Sequence, residues 1–213
     1  MRKNNKFTSR WILINNLKKL IDETDAVLDL GCGNNSPLLN ITCNFVLGLD
    51  IYFYKSTVGS DAIGTRSKEV RYYKKKCDLR YLGSSYDYKS FDVCCLIDVI
   101  EHFKKESGIN LLKNSENIAR KVVIVSTPNG YLEQHDNRPF FDHLSGWTVD
   151  EFKSLGYKVI GFGGLKCLRG KYNTLKYKPR FLWGLVSLLF DYIWCRKHPK
   201  SAAILLCWKE VEY

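Results

Sequence analysis

The chain has only five prolines, no internal repeat and no low-complexity stretch, which excludes Pro-rich linkers and solenoid architectures. No secretory signal is expected at its start. Eight cysteines are present, but no two have CxxC spacing. A disulfide scaffold is therefore not expected: Cys32, Cys94, Cys95 and Cys207 lie in or beside apolar runs and read as small core hydrophobes of a reducing, cytoplasmic environment. Acids are scarce at two places. Met1 to Lys19 carries six Lys or Arg and no acid, and Leu165 to Lys200 carries nine against the single Asp191. Together these segments hold +14 of a net charge of +11, so the remainder sums to −3. The body is nearly neutral, and the two stretches are basic. At 213 residues the chain is long enough for one domain with a full core and too short for a second of comparable size.

The most informative stretch is Ala26 to Asn35, AVLDLGCGNN. A short apolar run around Asp29 stops at Gly31 and Gly33, as a buried parallel strand does when its following loop must bring backbone close to a ligand. A second run, Phe45 to Leu49, ends in Asp50, about twenty residues beyond the first glycine, where a strand-end acid can accept bonds from ribose hydroxyls. A third segment, Val70 to Leu79, ends in Cys77-Asp78-Leu79. The fourth, Phe91 to Val99, runs into Ile100-Glu101-His102-Phe103, and the fifth spans Lys121 to Gly130. Each carries a polar residue or glycine at its carboxyl end, where ligands sit in open α/β sheets.

Helical spacing of Trp11, Ile14, Leu17 and Ile21, widened by Leu13 and Leu20, predicts an amphipathic helix within residues 1–24 that packs on the sheet. Residues 25–213 form the main domain. Pro37-Leu38-Leu39 stands at the first crossover and is too short for a full helix, while Ile51 to Lys68 is polar with a weak helical signal. Lys104 to Arg120 is the better helix. Thr148 and Glu151 form a capping-box pattern opening a helix that closes at Gly156, and Tyr157 to Phe162 and Ala202 to Trp208 are the last strands. Alternating strands and helices predict an α/β fold, a Rossmann-like doubly wound, mostly parallel seven-stranded sheet with helices on both faces.

The series VLDLGCG, GLD, CDL, FDVCCLIDVIEHF and VVIVSTPNG, within Asp25 to Leu165, resembles the class I methyltransferases that use S-adenosyl-L-methionine, particularly the group containing ubiquinone-biosynthesis O-methyltransferases. The resemblance implies that S-adenosyl-L-methionine is held by Asp29, Gly31, Cys32, Gly33, Asp50, Ile51, Asp78, Leu79, Asp98 and Val99. Gly31 and Gly33 would approach its methionine part, Asp29 would orient that loop, Asp50 would hold the ribose, and Asp78 would accept from the adenine amino group. The family usually has a third small residue in the first loop, where this chain has Asn34-Asn35-Ser36.

Methyl transfer from a sulfonium needs alignment and, for a hydroxyl acceptor, a base. His102, after the fourth strand, and His143, in the long loop Tyr131 to Trp147, are the candidates, each with the alternative of a hydrogen-bonded packing histidine. That loop, with His135, Asp136, Arg138, Asp142 and His143, reads as a substrate lid. Its histidines and aspartates lack diagnostic metal spacing, so no metal is expected. Ser126-Thr127-Pro128-Asn129 replaces the NPPY-type sequence that methylates base nitrogens, which favours a small-molecule, lipid-linked or glycan-linked hydroxyl over nucleic acid. An RNA methyltransferase and a non-catalytic membrane or partner-binding module are the alternatives.

The insertion at about 171–200 contains Phe181 to Cys195, apolar except at Gly184, Ser187 and Asp191. It is shorter than the roughly 20 residues that span a bilayer. A helix here has one thin polar stripe and basic residues on both flanks, which suits an anionic membrane interface; burial in a homodimer or against the sheet is the alternative.

Overall fold

Short runs rich in valine, isoleucine, leucine and cysteine form the strands, because such side chains pack well on a pleated surface covered on both faces. The computed structural model describes residues 4–53, 71–135 and 140–212. Val70, Asp136, Arg138 and most of the polar stretch after Ile51 lie outside the described residues. The strands are β1 Ala26–Leu30, β2 Phe45–Asp50, β3 Arg71–Lys76, β4 Phe91–Ile97, β5 Ala119–Pro128, β6 Lys158–Leu165 and β7 Ala202–Glu210. Their order in the seven-stranded sheet is β3-β2-β1-β4-β5-β7-β6. β1 runs parallel to β2 and β4, β2 parallel to β3, and β6 antiparallel to β7. The doubly wound, mostly parallel sheet is the observed fold. Helices α1 Asn4–Leu17, α2 Lys105–Ile118, α3 Val149–Ser154 and α4 Arg180–Phe190 accompany it.

The chain divides into two compact units. One comprises Leu13–Ile97, Ile109–Ile124 and Glu210–Tyr213. Its centre is β1, whose five residues are all buried. Asp92, at the amino end of β4, accepts from Ala26 N at 2.9 Å and pairs with Arg120 at 3.0 Å, the structural role its position implies. The first crossover is a single 3₁₀ turn, Pro37–Asn40, started by Ser36 Oγ, which accepts from Leu38 N. β3 lies at the sheet edge and fully buries only Tyr72, its alternate residues facing outward as an edge strand's do.

In α1 the expected inward stripe is corrected. Leu13 and Leu17 are buried, as is Ile21 beyond the helix end, but Trp11 is 62% exposed. Leu13, Leu17 and Ile21 recur every four residues and form one row, whereas Trp11 lies about 200° around the helix from Leu13.

The second unit comprises Met1–Ile12, Asp98–Gly108 and Val125–Lys209. Here α3 has the predicted reciprocal cap: Thr148 Oγ1 accepts from Glu151 N, and the Glu151 carboxylate accepts from Thr148 N at 2.8 Å. The chain then turns at Gly156, with φ of 86°. Trp147, 1% exposed, ends the long loop; its Nε1 donates to Ser145 Oγ at 3.0 Å, and its ring carries the Lys105 ammonium 3.9 Å from its centroid.

Candidate active site

In the first unit, β1 runs directly into a turn that only glycine adopts cheaply: φ is 71° at Gly31 and 52° at Gly33. The turn is tied to the end of β2. Gly31 N and Cys32 N donate to the Leu49 carbonyl at 2.7 and 3.1 Å, and Gly33 N donates to Asp50 Oδ2 at 2.8 Å. Asp50 Oδ1 accepts from Tyr52 N at 2.9 Å. Lys74 Nζ donates to the Gly33 and Asn34 carbonyls at 3.0 and 3.2 Å, closing the turn from the β3 side. Among the described residues, a Cβ placed on Gly33 would have no heavy atom within 4 Å, so the turn presents bare backbone there.

Beneath the turn Asp29 is 1% exposed and accepts from Tyr72 OH at 2.5 Å. Burial pushes its carboxyl up to about 6, against hydrogen bonds from Ser36 and Tyr72 that favour the charged form. Asp29 thus bonds both to Ser36, after the glycine turn, and to Tyr72 of β3. Cys32 is buried, and burial pushes its thiol well above the ordinary range.

Asp78 caps the 3₁₀ turn Leu79–Ser84, accepting from Arg80 N at 3.0 Å, and both its oxygens receive the Arg80 guanidinium, Nε at 3.0 and 2.9 Å. Arg80 holds its carboxyl below the usual range. Any adenine contact through Asp78 would share that carboxylate with Arg80, a partner the sequence reading did not foresee. Leu79 is buried beside it, and Ile51 is half-buried.

In the second unit, Asp98 follows β4 with φ of 55° and is exposed, while Val99 is buried. The 3₁₀ turn Ile100–His102 comes next. Glu101, 2% exposed, accepts from Thr127 Oγ1 at 2.9 Å, and burial together with the Asp98 charge pushes its carboxyl up to about 8. Its carbonyl accepts from Leu144 N and Ser145 N at 2.7 and 3.1 Å, which draws the long loop back to this turn. The loop thereby brings His143 beside His102, with ring centroids 4.9 Å apart and edge to face. His102 Nδ1 donates to the Asp142 carbonyl at 3.1 Å and His143 Nδ1 to the Leu132 carbonyl at 2.7 Å. A carbonyl can only accept, so in both rings the lone pair sits on Nε2. Burial and the neighbouring His102 lower the pKa of His143.

One ligand atom from each of Glu101, His102 and His143 lies within 4.8 Å of the others. Two imidazoles fixed through Nδ1 and a buried carboxylate can accept a proton or hold a divalent cation. Sequence reasoning named the two histidines as alternative bases but missed Glu101; the available signal was an acid directly before His102 in the segment that leaves β4. His135 is exposed, 3.9 Å from Asp142 and 4.0 Å from Glu133.

No protein-family model matches this sequence, and no curated protein matches it. Solved structures do resemble it in fold. A SAM-dependent methyltransferase from Archaeoglobus fulgidus superposes with a TM-score of 0.60 at 15% identity, over 98% of this chain and 95% of that one. The methyltransferase domain of a bacterial Hen1 (CtHen1-C) gives 0.53 at 18%, over 99% and 100%. The [4+2]-cyclase SpnF gives 0.56 at 13%, over 94% and 81%. One bearer of this fold is thus named for a cyclisation, so fold alone does not settle the reaction. By superposition and strand order, this chain has the fold of the class I S-adenosylmethionine-dependent methyltransferases.

Proposed function

We propose that the chain is an S-adenosylmethionine-dependent methyltransferase that methylates a hydroxyl on a small-molecule, lipid-linked or glycan-linked acceptor. The observation that carries this reading is the Gly31–Gly33 turn, bare toward open space at Gly33 and anchored by Asp50 at the end of the neighbouring parallel strand. Bound there, the cofactor supplies a methyl group on a sulfonium leaving group. The turn's backbone would admit its methionine part. Asp50, which spends one acceptor site per oxygen on backbone amides, retains lone pairs for ribose hydroxyls. His102 or His143 would accept the hydroxyl proton at Nε2, the nitrogen that the Nδ1 bonds select.

Calorimetry with S-adenosylmethionine and its demethylated product tests the first half, and labelled-methyl transfer over extracted lipids, polysaccharide precursors and RNA tests the second. Uptake of neither ligand by the folded chain would make it a non-catalytic binding module, and label entering only RNA would replace the acceptor class. His102→Asn and His143→Asn are expected to lower turnover by about 10² for whichever residue is the base, with cofactor affinity unchanged.

The convergence of Glu101, His102 and His143 favours a second reading of their role, a divalent cation that binds the acceptor oxygen and lowers its pKa. Titration with Mn²⁺ separates the two. Binding heat in the wild type that disappears in Glu101→Gln, together with activity lost to chelator, supports the cation; activity indifferent to chelator leaves a histidine as the base.

A further inference from the structure

The insertion helix is mounted with its polar stripe inward. Ser187 and Asp191 on this stripe are buried, as is Cys195 in the π-helical turn Asp191–Cys195 that continues α4. Asp191 Oδ2 accepts from Gly163 N at 3.0 Å, and Arg169 Nη2 donates to Ser187 Oγ at 3.0 Å and to the Gly163 carbonyl at 2.5 Å. Glycines in β6 make room for this contact. A Cβ on Gly161 would lie 2.6 Å from the Cys195 carbonyl oxygen, and one on Gly164 would lie 1.7 Å from Ser187 Oγ. Turning α4 over would strip the buried Asp191 carboxylate and the half-buried Arg169 guanidinium of partners, so the orientation is set by β6.

The outer face is consequently apolar. Phe181, Leu185 and Leu189, one turn apart, are 73%, 62% and 57% exposed, and Leu182, Leu188, Ile193 and Trp194 are exposed beside them. Lys176, Lys178 and Arg180 precede this face and Arg196 and Lys197 follow it, all exposed. Among the described residues no helix is long and apolar enough to cross a membrane.

We propose that this face of α4 docks in the interface of an anionic membrane. Lipid accounts for both of its properties: leucine and aromatic side chains enter the acyl boundary while the five flanking cations meet anionic headgroups. A second copy of the chain would cover the leucines but would bring two sets of cations together with no outward acid to offset them, since Asp191 points inward.

The test does not depend on methyl transfer. Wild-type protein is expected to co-sediment with phosphatidylglycerol-rich vesicles at low salt, to be released by high salt and to remain in the supernatant when the vesicles are pure phosphatidylcholine. Leu185→Ser and Leu189→Ser, both at exposed positions, are expected to weaken binding about tenfold each, and Lys178→Gln and Lys197→Gln about fivefold each. Circular dichroism identical to wild type shows that the variants are folded. Wild-type protein that stays in the supernatant with phosphatidylglycerol-rich vesicles at low salt overturns the proposal, as does a dimer in sedimentation velocity that Leu185→Ser dissociates.

Discussion

Two glycine-bearing segments of this chain use one residue type for opposite ends. At Gly33 the backbone has φ of 52° and the absent side chain leaves open space; at Gly164 φ is 81°, and the absent side chain is where Ser187 sits. Both need a left-handed conformation that other residues adopt at a cost. The comparison separates two things hidden in a glycine codon: permission to turn and permission to approach. Where nothing fills the room, as at Gly33, a ligand can; where a helix fills it, as at Gly164, the glycine belongs to the core.

The comparison breaks most visibly at Gly164. Gly164→Ala adds left-handed strain to a collision with Ser187 and displaces α4 from β6, so a loss of about 3 kcal/mol or more is expected in denaturant unfolding, with much of the protein insoluble. Near the other glycine, Asp29 sets a pH response. Its carboxyl is raised to about 6 in the fold against 3.8 for an ordinary aspartate, so between about pH 4 and 6 the folded state holds more protons than the unfolded one. Its contribution is therefore complete below about pH 4 and lost as pH rises through 6, a change on the order of 3 kcal/mol. Asp29→Asn is expected to remove that slope from a plot of Tm against pH, relative to wild type. Asp50→Ala should cost about 2 to 3 kcal/mol of cofactor binding, roughly thirty- to over a hundredfold in calorimetric affinity, in a domain that stays folded. Gly33→Ala is the smallest change in stability. Only its φ is strained, by about 1 kcal/mol, and a drop near that of Gly164→Ala would abolish the distinction between the two glycines.

Much of the architecture was readable because it depends on neighbours in sequence. The strand ends at Asp50 and Gly31, the short crossover at Pro37–Asn40 and the Thr148–Glu151 cap are local patterns of apolar runs and turn chemistry, and each is found where the sequence puts it. Less of the site was readable. His102 and His143 were proposed separately for the base and turn out to be in ring contact, yet Glu101 beside them was missed, because its importance comes from burial and from the loop amides that bond its carbonyl. The Arg80 clamp on Asp78 was also missed: a bidentate pair two residues apart depends on the backbone course of the 3₁₀ turn, which composition does not describe.

By itself the sequence determined which residues share a face. Periodicity put Gly184, Ser187 and Asp191 on one side of the insertion helix, and Trp11, Ile14, Leu17 and Ile21, widened by Leu13 and Leu20, on one side of α1. Only the tertiary structure decided which side looks inward. Trp11, the largest apolar side chain of α1, faces outward because Leu13 and Leu17 take the buried side. In α4 it is the polar stripe that is buried, against expectation for an amphipathic helix, because the glycines of β6 offer close approach and backbone partners that leucines could not satisfy. A helical period is a property of one segment; the direction of burial is a property of the surface that the segment meets.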